Sequence, residues 1–228
     1  MASIDQSAIE NVLQTVIDPN MQTDLVSGKT VKSIAVEDGR VNIEIELGYP
    51  AKSCSEVLRS AVQEKIAELP GVDSVAVEIT TVIVAHKVQN ALQPMGNIKN
   101  IIAIASGKGG VGKSTTAVNI ALALQAEGAQ VGILDADIYG PSIPTMLGIS
   151  GYPSSEDGKT MQPKTAYGLQ SISIGYLIDE DQPMIWRGPM VTNALQQLLK
   201  DTNWSDLDYL IVDLPPGTGD IQLTLAQQ

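Results

Sequence analysis

The sequence is poor in the residues that build disulfides and metal sites. It has one cysteine, Cys54, and one histidine, His86, in 228 residues, and it has no phenylalanine. A single cysteine excludes a disulfide within the chain and fits a reducing compartment. A lone histidine is more typical of a structural or solvated side chain than of a metal ligand. These shortages argue against a disulfide-stabilised secreted domain and favour a cytoplasmic protein.

Long hydrophobic runs and an excess of positive charge are also absent. No apolar run reaches the roughly 18 residues of a membrane span, and the first residues lack the basic segment and apolar stretch of a secretory signal. The net charge of −12 argues against nucleic acid and against anionic membranes as partners. Hydrophobic residues still make up 43% of the chain, which is enough for a buried core.

What the sequence does contain is a glycine-rich loop between an apolar run at 101–105 and a helical segment at 116–126. The loop fits the P-loop pattern G-x-x-x-x-G-K-[ST] in the context that this pattern requires. Its glycines allow backbone N–H groups to face phosphate oxygens, and the following helix adds partial positive charge. We expect Lys113 to reach the β- and γ-phosphates of ATP and Ser114 to bind Mg²⁺. The expected nucleotide-binding residues are Gly107, Lys108, Gly109, Gly110, Val111, Gly112, Lys113, Ser114 and Thr115.

Hydrophobic periodicity predicts a small α+β domain at residues 1–86 with the order α-β-β-α-β. Its first helix spans about 8–17, and Asp38-Gly39 between alternating apolar runs indicates a hairpin. The second helix is expected to begin with a capping box whose N-cap is Ser53, and a third strand follows near 75–79. Residues 87–99 lack periodicity and are interpreted as a linker.

Residues 100–228 predict a second domain, in which near-continuous apolar strands alternate with helices. The expected strands are 101–105, 131–134, 169–174 and 209–212, with a helix near 190–199 and a surface loop at 151–168. This rhythm is typical of an α/β fold with a parallel sheet covered by helices on both faces. A helical pattern at 221–226 has no strand after it, so we interpret the sheet as incomplete at the C-terminus and the chain as a fragment.

Carboxylates follow two of the predicted strands. Asp213 ends an apolar run, as in a Walker B strand, and is expected to orient Mg²⁺ through water. The second strand ends in Asp135 and Asp137, of which one is expected to orient the attacking water while the other caps a turn or lies in the outer shell of the metal. Residues 214–220 fit a switch that senses the γ-phosphate, with the backbone N–H of Gly217 offered to it.

With its additional lysine, Lys108, the loop resembles the deviant Walker A motif of the MinD, ParA and nitrogenase iron protein class. More narrowly, residues 107–115, 135–144, 186–190 and 213–220 closely resemble the Mrp/ApbC family of ATP-binding iron–sulfur cluster carrier proteins. The resemblance implies a slow, Mg-dependent ATPase that acts as a homodimer and delivers clusters to apoproteins together with cluster-assembly factors. It also implies that Lys108 reaches the nucleotide of the other subunit, that Lys113 serves its own, and that Asp137 positions the hydrolytic water. It implies a role for the motif of Arg187 without assigning that side chain a contact.

The first domain resembles the small iron–sulfur-assembly domain that often precedes this NTPase. Cys54 matches a cysteine common in that family and lies at the start of a predicted helix, whose dipole favours a thiolate; a half-buried, inert thiol is the alternative. A [4Fe–4S] cluster usually needs four thiolates, and the family's Cys-x-x-Cys lies downstream of this region. No cluster ligands are therefore expected in this chain.

Two other functions use the same phosphate-binding loop. A spatial organiser similar to MinD or ParA would use the nucleotide to control binding to a partner or surface, although the acidity disfavours the DNA-binding version and the membrane version needs an amphipathic tail beyond residue 228. A non-catalytic, nucleotide-gated scaffold would bind ATP and hardly turn it over. The Asp-Ile-Tyr-Gly-Pro-Ser stretch at 137–142 fits the carrier family better than the organisers.

Overall fold

The computed structural model describes residues 5–85, 95–177 and 188–217, and the structural statements below refer to these residues. Contacts between residues divide the chain into two compact units, Met1–Val84 and Ala85–Gln228. Each unit has its own hydrophobic core.

The first unit has the predicted α-β-β-α-β order. Its elements are α1 (Gln6–Leu13), β1 (Val31–Glu37), β2 (Arg40–Leu47), α2 (Lys52–Ala67) and β3 (Ser74–Thr81). β2 lies in the centre of the sheet, antiparallel to β1 and parallel to β3. The predicted hairpin turn is confirmed, because Asp38 and Gly39 both have positive φ, as a tight turn between twisted strands requires.

The core of the first unit lies between the sheet and the helices. Alternate side chains of β2 point to the same face and are buried. They pack against the apolar faces of α1 and α2. The residues of this core include Ile9, Leu13, Val41, Ile43, Ile45, Leu47, Leu58, Val62 and Ile66.

Two helix boundaries in this unit differ from the prediction. α1 ends at Leu13 rather than near residue 17, and the chain then turns so that Ile17 is exposed and bridges to Asp24. The capping box was wrong, because the carbonyl of Ala51 already accepts from the N–H of Ser55, which places Ser53 inside the first turn.

The second unit is an α/β fold. Its elements are β4 (Ile98–Ile104), α3 (Lys113–Ala126), β5 (Val131–Asp135), α4 (Ile143–Leu147), β6 (Lys164–Ala166), β7 (Leu169–Ser173), a 3-10 turn (Ile174–Tyr176), α5 (Gly188–Lys200) and β8 (Leu207–Asp213). Among the described residues the sheet has five strands in the order β4-β8-β5-β7-β6. All neighbouring strands are parallel except β6 and β7.

Helices cover both faces of this sheet, as predicted. On one face, Leu134 of β5 and Leu210 of β8 lie in the same core as Leu195 of α5. On the other face, Ile133 and Ile211 lie in a separate core with α3 and α4. Burial on both faces explains why these strands read as continuous apolar runs.

Three features of the second unit depart from the prediction. β4 begins at Ile98, inside the segment interpreted as a linker, because Asn97 O already accepts from Leu207 N on the neighbouring strand. The expected surface loop at 151–168 contains the edge strand β6, which a turn at Tyr167 and Gly168 joins to β7. The helix α4 was not predicted.

Three other sequence features cannot be placed in this fold. The helical pattern at 221–226, His86 and Arg187 lie outside the described residues. None of the described helices combines the length and the apolar character that crossing a membrane demands.

Candidate nucleotide-binding site

The carboxyl ends of three neighbouring strands bring the predicted site residues to one edge of the sheet. In the register of the sheet, Asp213 at the end of β8 pairs with Ile104 of β4 on one side and with Asp135 of β5 on the other. The loops that follow these strands therefore converge. Such an edge is the usual ligand-binding position in open α/β sheets.

The P-loop, residues 105–112, follows β4 and leads directly into α3. Gly110 and Gly112 have φ of 73° and 85°, a region that side chains with a Cβ rarely adopt, so the turn requires glycine at both positions. Two hydrogen bonds hold the base of the loop: Ser106 Oγ donates to Lys108 O at 3.0 Å, and Gly217 N donates to Ser106 O at 2.9 Å.

The backbone amides at the tip of the P-loop are open. Within the described part of the chain, no acceptor pairs with the N–H groups of Gly109, Gly110, Val111 or Gly112, and all four residues are exposed. The N-terminus of α3 points into the same loop and carries partial positive charge. Open amides at a helix N-terminus are the kind of donor set that suits a phosphate group.

Lys113 brings the predicted site residues together. Its side chain is only 7% exposed, and Nζ donates to Asp213 Oδ1 at 2.6 Å. Nζ also lies 3.3 Å from Ser114 Oγ and 3.6 Å from Asp137 Oδ2. One ammonium thus contacts residues from the start of α3, from the end of β8 and from the loop after β5.

Asp213 is fully buried, and its two oxygens differ. Oδ1 accepts from Lys113, whereas Oδ2 has no hydrogen-bond partner among the described residues. A buried carboxylate oxygen without a partner is costly, by about 1–3 kcal/mol or more for a charged group. The free oxygen is therefore available to a cation or to water bound to a cation.

Asp135 and Asp137 have different surroundings. Asp135 Oδ1 accepts from Asp137 N at 3.1 Å, and Oδ2 accepts from the N–H groups of Ser142 and Ile143, each at 3.1 Å, and from Ser173 Oγ at 3.0 Å. Burial raises the pKa of Asp135 to about 7. The side chain of Asp137 is partly exposed; burial raises its pKa, and the nearby Lys113 opposes that shift.

Other predicted residues lie at the edge of this cluster. Lys108 and Thr115 are exposed, and within the described residues the ammonium of Lys108 has no ion-pair partner. The N–H of Gly217, expected to face the γ-phosphate, donates to Ser106 O because the chain after β8 folds back onto the base of the P-loop. Residues 218–220 of the expected switch lie outside the described residues.

The sequence prediction missed Ser173, whose hydroxyl contacts the Asp135 carboxylate. A signal was present, since Ser173 is a polar residue at the carboxyl end of a predicted parallel strand, the position from which Asp135 and Asp213 also act. The adjacency of β7 and β5, which makes the contact, is not visible in the sequence.

The thiol of Cys54, in the first unit, contacts a tyrosine hydroxyl that is hydrogen-bonded to the buried carboxylate of Asp18. Asn20 Nδ2 is 3.6 Å and Tyr49 Oη is 3.9 Å from Sγ, and the same hydroxyl donates to Asp18 at 2.7 Å. Burial, followed by the contact with Asp18, raises the pKa of Tyr49. The described residues contain no group of three or more His, Cys, Asp and Glu side chains that would hold a metal.

Comparison with protein families matches both units. Residues 97–228 match the ParA family, described as NUBPL iron-transfer P-loop NTPase. Residues 6–79 match the family described as iron–sulfur cluster assembly protein.

Individual relatives carry a consistent name. The chain is 48% identical to the iron–sulfur cluster carrier protein of Synechocystis over 96% of its own length and 64% of the relative. It is 48% identical to the protein of the same name from Escherichia coli K12, over 92% of this chain and 57% of the relative. The chain thus spans about three fifths of the length of these curated relatives. A solved nucleotide-binding protein from Archaeoglobus fulgidus, in complex with ADP, is 38% identical and covers 57% of this chain and 50% of its own, with a TM-score of 0.49.

Proposed function

The chain belongs to the ParA family of P-loop NTPases described as NUBPL iron-transfer proteins, and from that premise we propose that it binds ATP at this edge of the sheet and hydrolyses it. One observation carries the proposal: the P-loop amides without an acceptor and the nearly buried ammonium of Lys113 lie in the same site, at the start of α3. Amides and ammonium together are donors suited to a triphosphate.

In the proposed complex the open N–H groups at residues 109–112 donate to phosphate oxygens. Lys113 supplies a positive charge from the side of the sheet, where Asp213 and Asp137 hold its ammonium in place. Because the ammonium is almost buried, its attraction for phosphate is less screened by water than that of a surface lysine.

Mg²⁺ fits the donor set next to Lys113. The hydroxyl of Ser114 and the carboxylate of Asp213 both contact its Nζ, and Asp213 Oδ2 has no partner among the described residues. Hard oxygen donors of this kind are the ligands that Mg²⁺ prefers, directly or through water. When bound, Mg²⁺ supplies neutralisation of the negative charge on the phosphate oxygens.

Asp137 is proposed to hold the attacking water. Its carboxylate lies 3.6 Å from the Lys113 ammonium, and therefore close to where that ammonium meets phosphate, and its backbone N–H is held by Asp135. Phosphoryl transfer depends on positioning and electrostatics more than on covalent help, so a fixed carboxylate that orients water is sufficient.

The substitution Asp137→Asn tests the hydrolysis step in the full-length protein. We expect ATP affinity to stay within about threefold of the original, while phosphate release falls about a hundredfold, since a positioned base contributes roughly 10²–10⁴ in rate. Asp157→Asn, on an exposed turn, is the control and should change neither quantity. Equal phosphate release by Asp137→Asn and the original protein would move the catalytic role to another residue.

We propose that the cargo is an iron–sulfur cluster, delivered in the cytoplasm to apo iron–sulfur proteins with the help of cluster-assembly factors. The support is the family and the name of the relatives, iron–sulfur cluster carrier protein. The residues of this chain do not fit a [4Fe–4S] cluster, because Cys54 is its single cysteine and four ligands are needed. The full-length protein, reconstituted with iron and sulfide, should restore activity to an apo iron–sulfur enzyme. If the reconstituted protein binds no cluster, the carrier function is wrong and the nucleotide-gated scaffold becomes the better interpretation.

Lys108 is proposed to act across a homodimer. It is exposed on the P-loop, and among the described residues no acidic side chain pairs with it, so it is available to the triphosphate of a second copy. A second ammonium there would offset charge that develops during transfer. Mixing Lys108→Ala with Asp137→Ala subunits should restore phosphate release at one of the two sites of the mixed dimer, whereas no recovery would place Lys108 in its own subunit's site.

A further inference from the structure

Loop 136–142, which carries Asp137, is held from the neighbouring strand β7. Ser173, the last residue of β7, donates through Oγ to Asp135 Oδ2 at 3.0 Å. The same hydroxyl accepts from Gly175 N at 3.0 Å, so it has a donor on one side and an acceptor on the other. The Asp135 oxygen that receives Ser173 also receives the N–H groups of Ser142 and Ile143. The end of β7 is thus linked through one carboxylate to the end of loop 136–142.

A second contact, independent of these hydrogen bonds, joins the same two segments. A Cβ placed on Gly175 would lie 3.1 Å from Pro144 Cγ and 3.2 Å from Pro141 Cβ. Two proline rings therefore rest directly on the backbone of Gly175, and a side chain there would push them away. Proline rings are stiff, so the contact fixes the path of the backbone on both sides of Ser142.

We propose that Ser173 and Gly175 are positioning residues for the hydrolytic step, since they fix loop 136–142 and thereby the carboxylate of Asp137. The inference rests on the proposed function, because Asp137 is the residue proposed to hold the attacking water. It adds to that function two residues, one on β7 and one in the 3-10 turn after it, whose hydrogen bonds in the described part of the chain do not involve the P-loop.

The link from Ser173 to Asp137 runs through Asp135. All four groups on the Asp135 carboxylate are donors, and one of them is the N–H of Asp137 itself. Ser173 is the side-chain donor of the four. Without it, Oδ2 keeps only the amides of Ser142 and of Ile143, the first residue of α4, and no side chain of β7 donates to the carboxylate. The loop and Asp135 can then shift together, and displacement of a catalytic group by about 1 Å can cost up to a hundredfold in rate.

Ser173→Ala is compared with a closely matched control, Ser171→Ala. Both serines are fully buried on β7 and two residues apart, so they face the same side of the strand. The Ser171 hydroxyl contacts Lys164 O and Tyr176 Oη rather than Asp135. Each substitution removes one buried hydroxyl, and only Ser173→Ala removes a contact to the Asp135 carboxylate.

The experiment uses the full-length protein and two readouts. Ser173→Ala should lower kcat for ATP hydrolysis about tenfold, with KM changed less than twofold, and should speed amide hydrogen exchange at Ser142 and Ile143 in protein without nucleotide. Ser171→Ala should leave kcat, KM and the exchange at these two amides unchanged. Gly175→Ala should act like Ser173→Ala, because its methyl group displaces Pro141 and Pro144 by a few tenths of an ångström while every hydrogen-bonding side chain remains.

Exchange and turnover separate the failure of the inference from that of the proposed function. Unchanged exchange at Ser142 and Ile143 in Ser173→Ala, or an equal loss of kcat in Ser171→Ala, overturns the positioning role. Full turnover by Asp137→Asn overturns the proposed catalytic function instead, and amide exchange still shows whether Ser173 holds the loop.

Discussion

The P-loop and loop 136–142 lie at the same edge of the sheet and use their backbone amides in opposite ways. In loop 136–142 and at the start of α4, the N–H groups of Asp137, Ser142 and Ile143 all donate to the Asp135 carboxylate. At residues 109–112 of the P-loop, the amides have no acceptor within the described part of the chain. The amides of loop 136–142 are thus satisfied by a carboxylate of the protein itself, whereas those of the P-loop are open to an anion from outside.

This difference assigns different tasks to the two loops. A loop whose donors are satisfied by a buried carboxylate keeps its shape whether or not a ligand is bound. A loop with free donors at a helix N-terminus becomes more ordered and is stabilised when a phosphate group binds. Lys113 links the two sides, because it follows the P-loop directly and its ammonium contacts Asp137 as well as Asp213.

Lys113→Met should have the largest effect, since Lys113 follows the P-loop and also contacts Asp137 of loop 136–142. The buried Asp213 would lose its cation, and removing one partner of a buried ion pair costs about 3–5 kcal/mol. We expect the free energy of unfolding in urea to fall by roughly that amount, and ATP binding to be lost. Lys99→Met is the control, because the Lys99 to Asp208 pair is at the surface and contributes only about 0–1 kcal/mol. Equal losses in the two variants would contradict the central position of Lys113.

Asp135→Asn should have an intermediate effect that is confined to one loop. All groups on the carboxylate are donors, so the amide NH₂ of asparagine must face at least one of them. We expect the free energy of unfolding to fall by about 1–3 kcal/mol, with faster amide exchange at Ser142 and Ile143.

The P-loop should respond much less to that substitution. ATP affinity of Asp135→Asn should remain within about threefold, because the N–H groups of residues 109–112 donate no hydrogen bond to Asp135. Asp206→Asn, at an exposed position, should change stability by no more than about 0.5 kcal/mol. A loss of ATP binding as large as that of Lys113→Met would show that the two loops are not separate.

Asp157 offers the smallest test, because it anchors an exposed turn in the way that Asp135 anchors a buried one. Its Oδ1 accepts from the N–H groups of Lys159 and Thr160, and these hydrogen bonds lower its pKa to about 2. Since the folded pKa is depressed, the turn is favoured above the ordinary pKa of aspartate and is lost as pH falls through about 2. The carboxyl ¹³C shift of Asp157, followed by NMR, should titrate near pH 2. A midpoint near pH 4, the ordinary value, would show that Asp157 does not anchor its turn.

Much of this architecture was predictable because its signals are local. The P-loop is recognisable from adjacent letters between an apolar run and a helix, and β5 and β8 are recognisable because they are buried on both faces. The hairpin at Asp38 and Gly39 follows from two adjacent residues that tolerate positive φ.

The remainder was not predictable, because it depends on length or on neighbours distant in sequence. α4 and β6 are too short to show a period of 3.6 or of 2. The strand pattern alone left open which carboxylate after β5 is expected to position water, and only the family resemblance pointed to Asp137. The donors that distinguish Asp135 come from loop 136–142, from α4 and from Ser173. That contact exists because β7 lies beside β5, which is a property of the strand order.

Amide hydrogen exchange with and without ATP and Mg²⁺ tests the difference between the two loops most directly. We predict that the amides of Gly109, Gly110, Val111 and Gly112 exchange quickly in the free full-length protein and become protected when nucleotide is added. The amides of Ser142 and Ile143 should be protected in both conditions. Exchange at residues 109–112 that does not change with ATP would contradict the assignment of this loop as the nucleotide site.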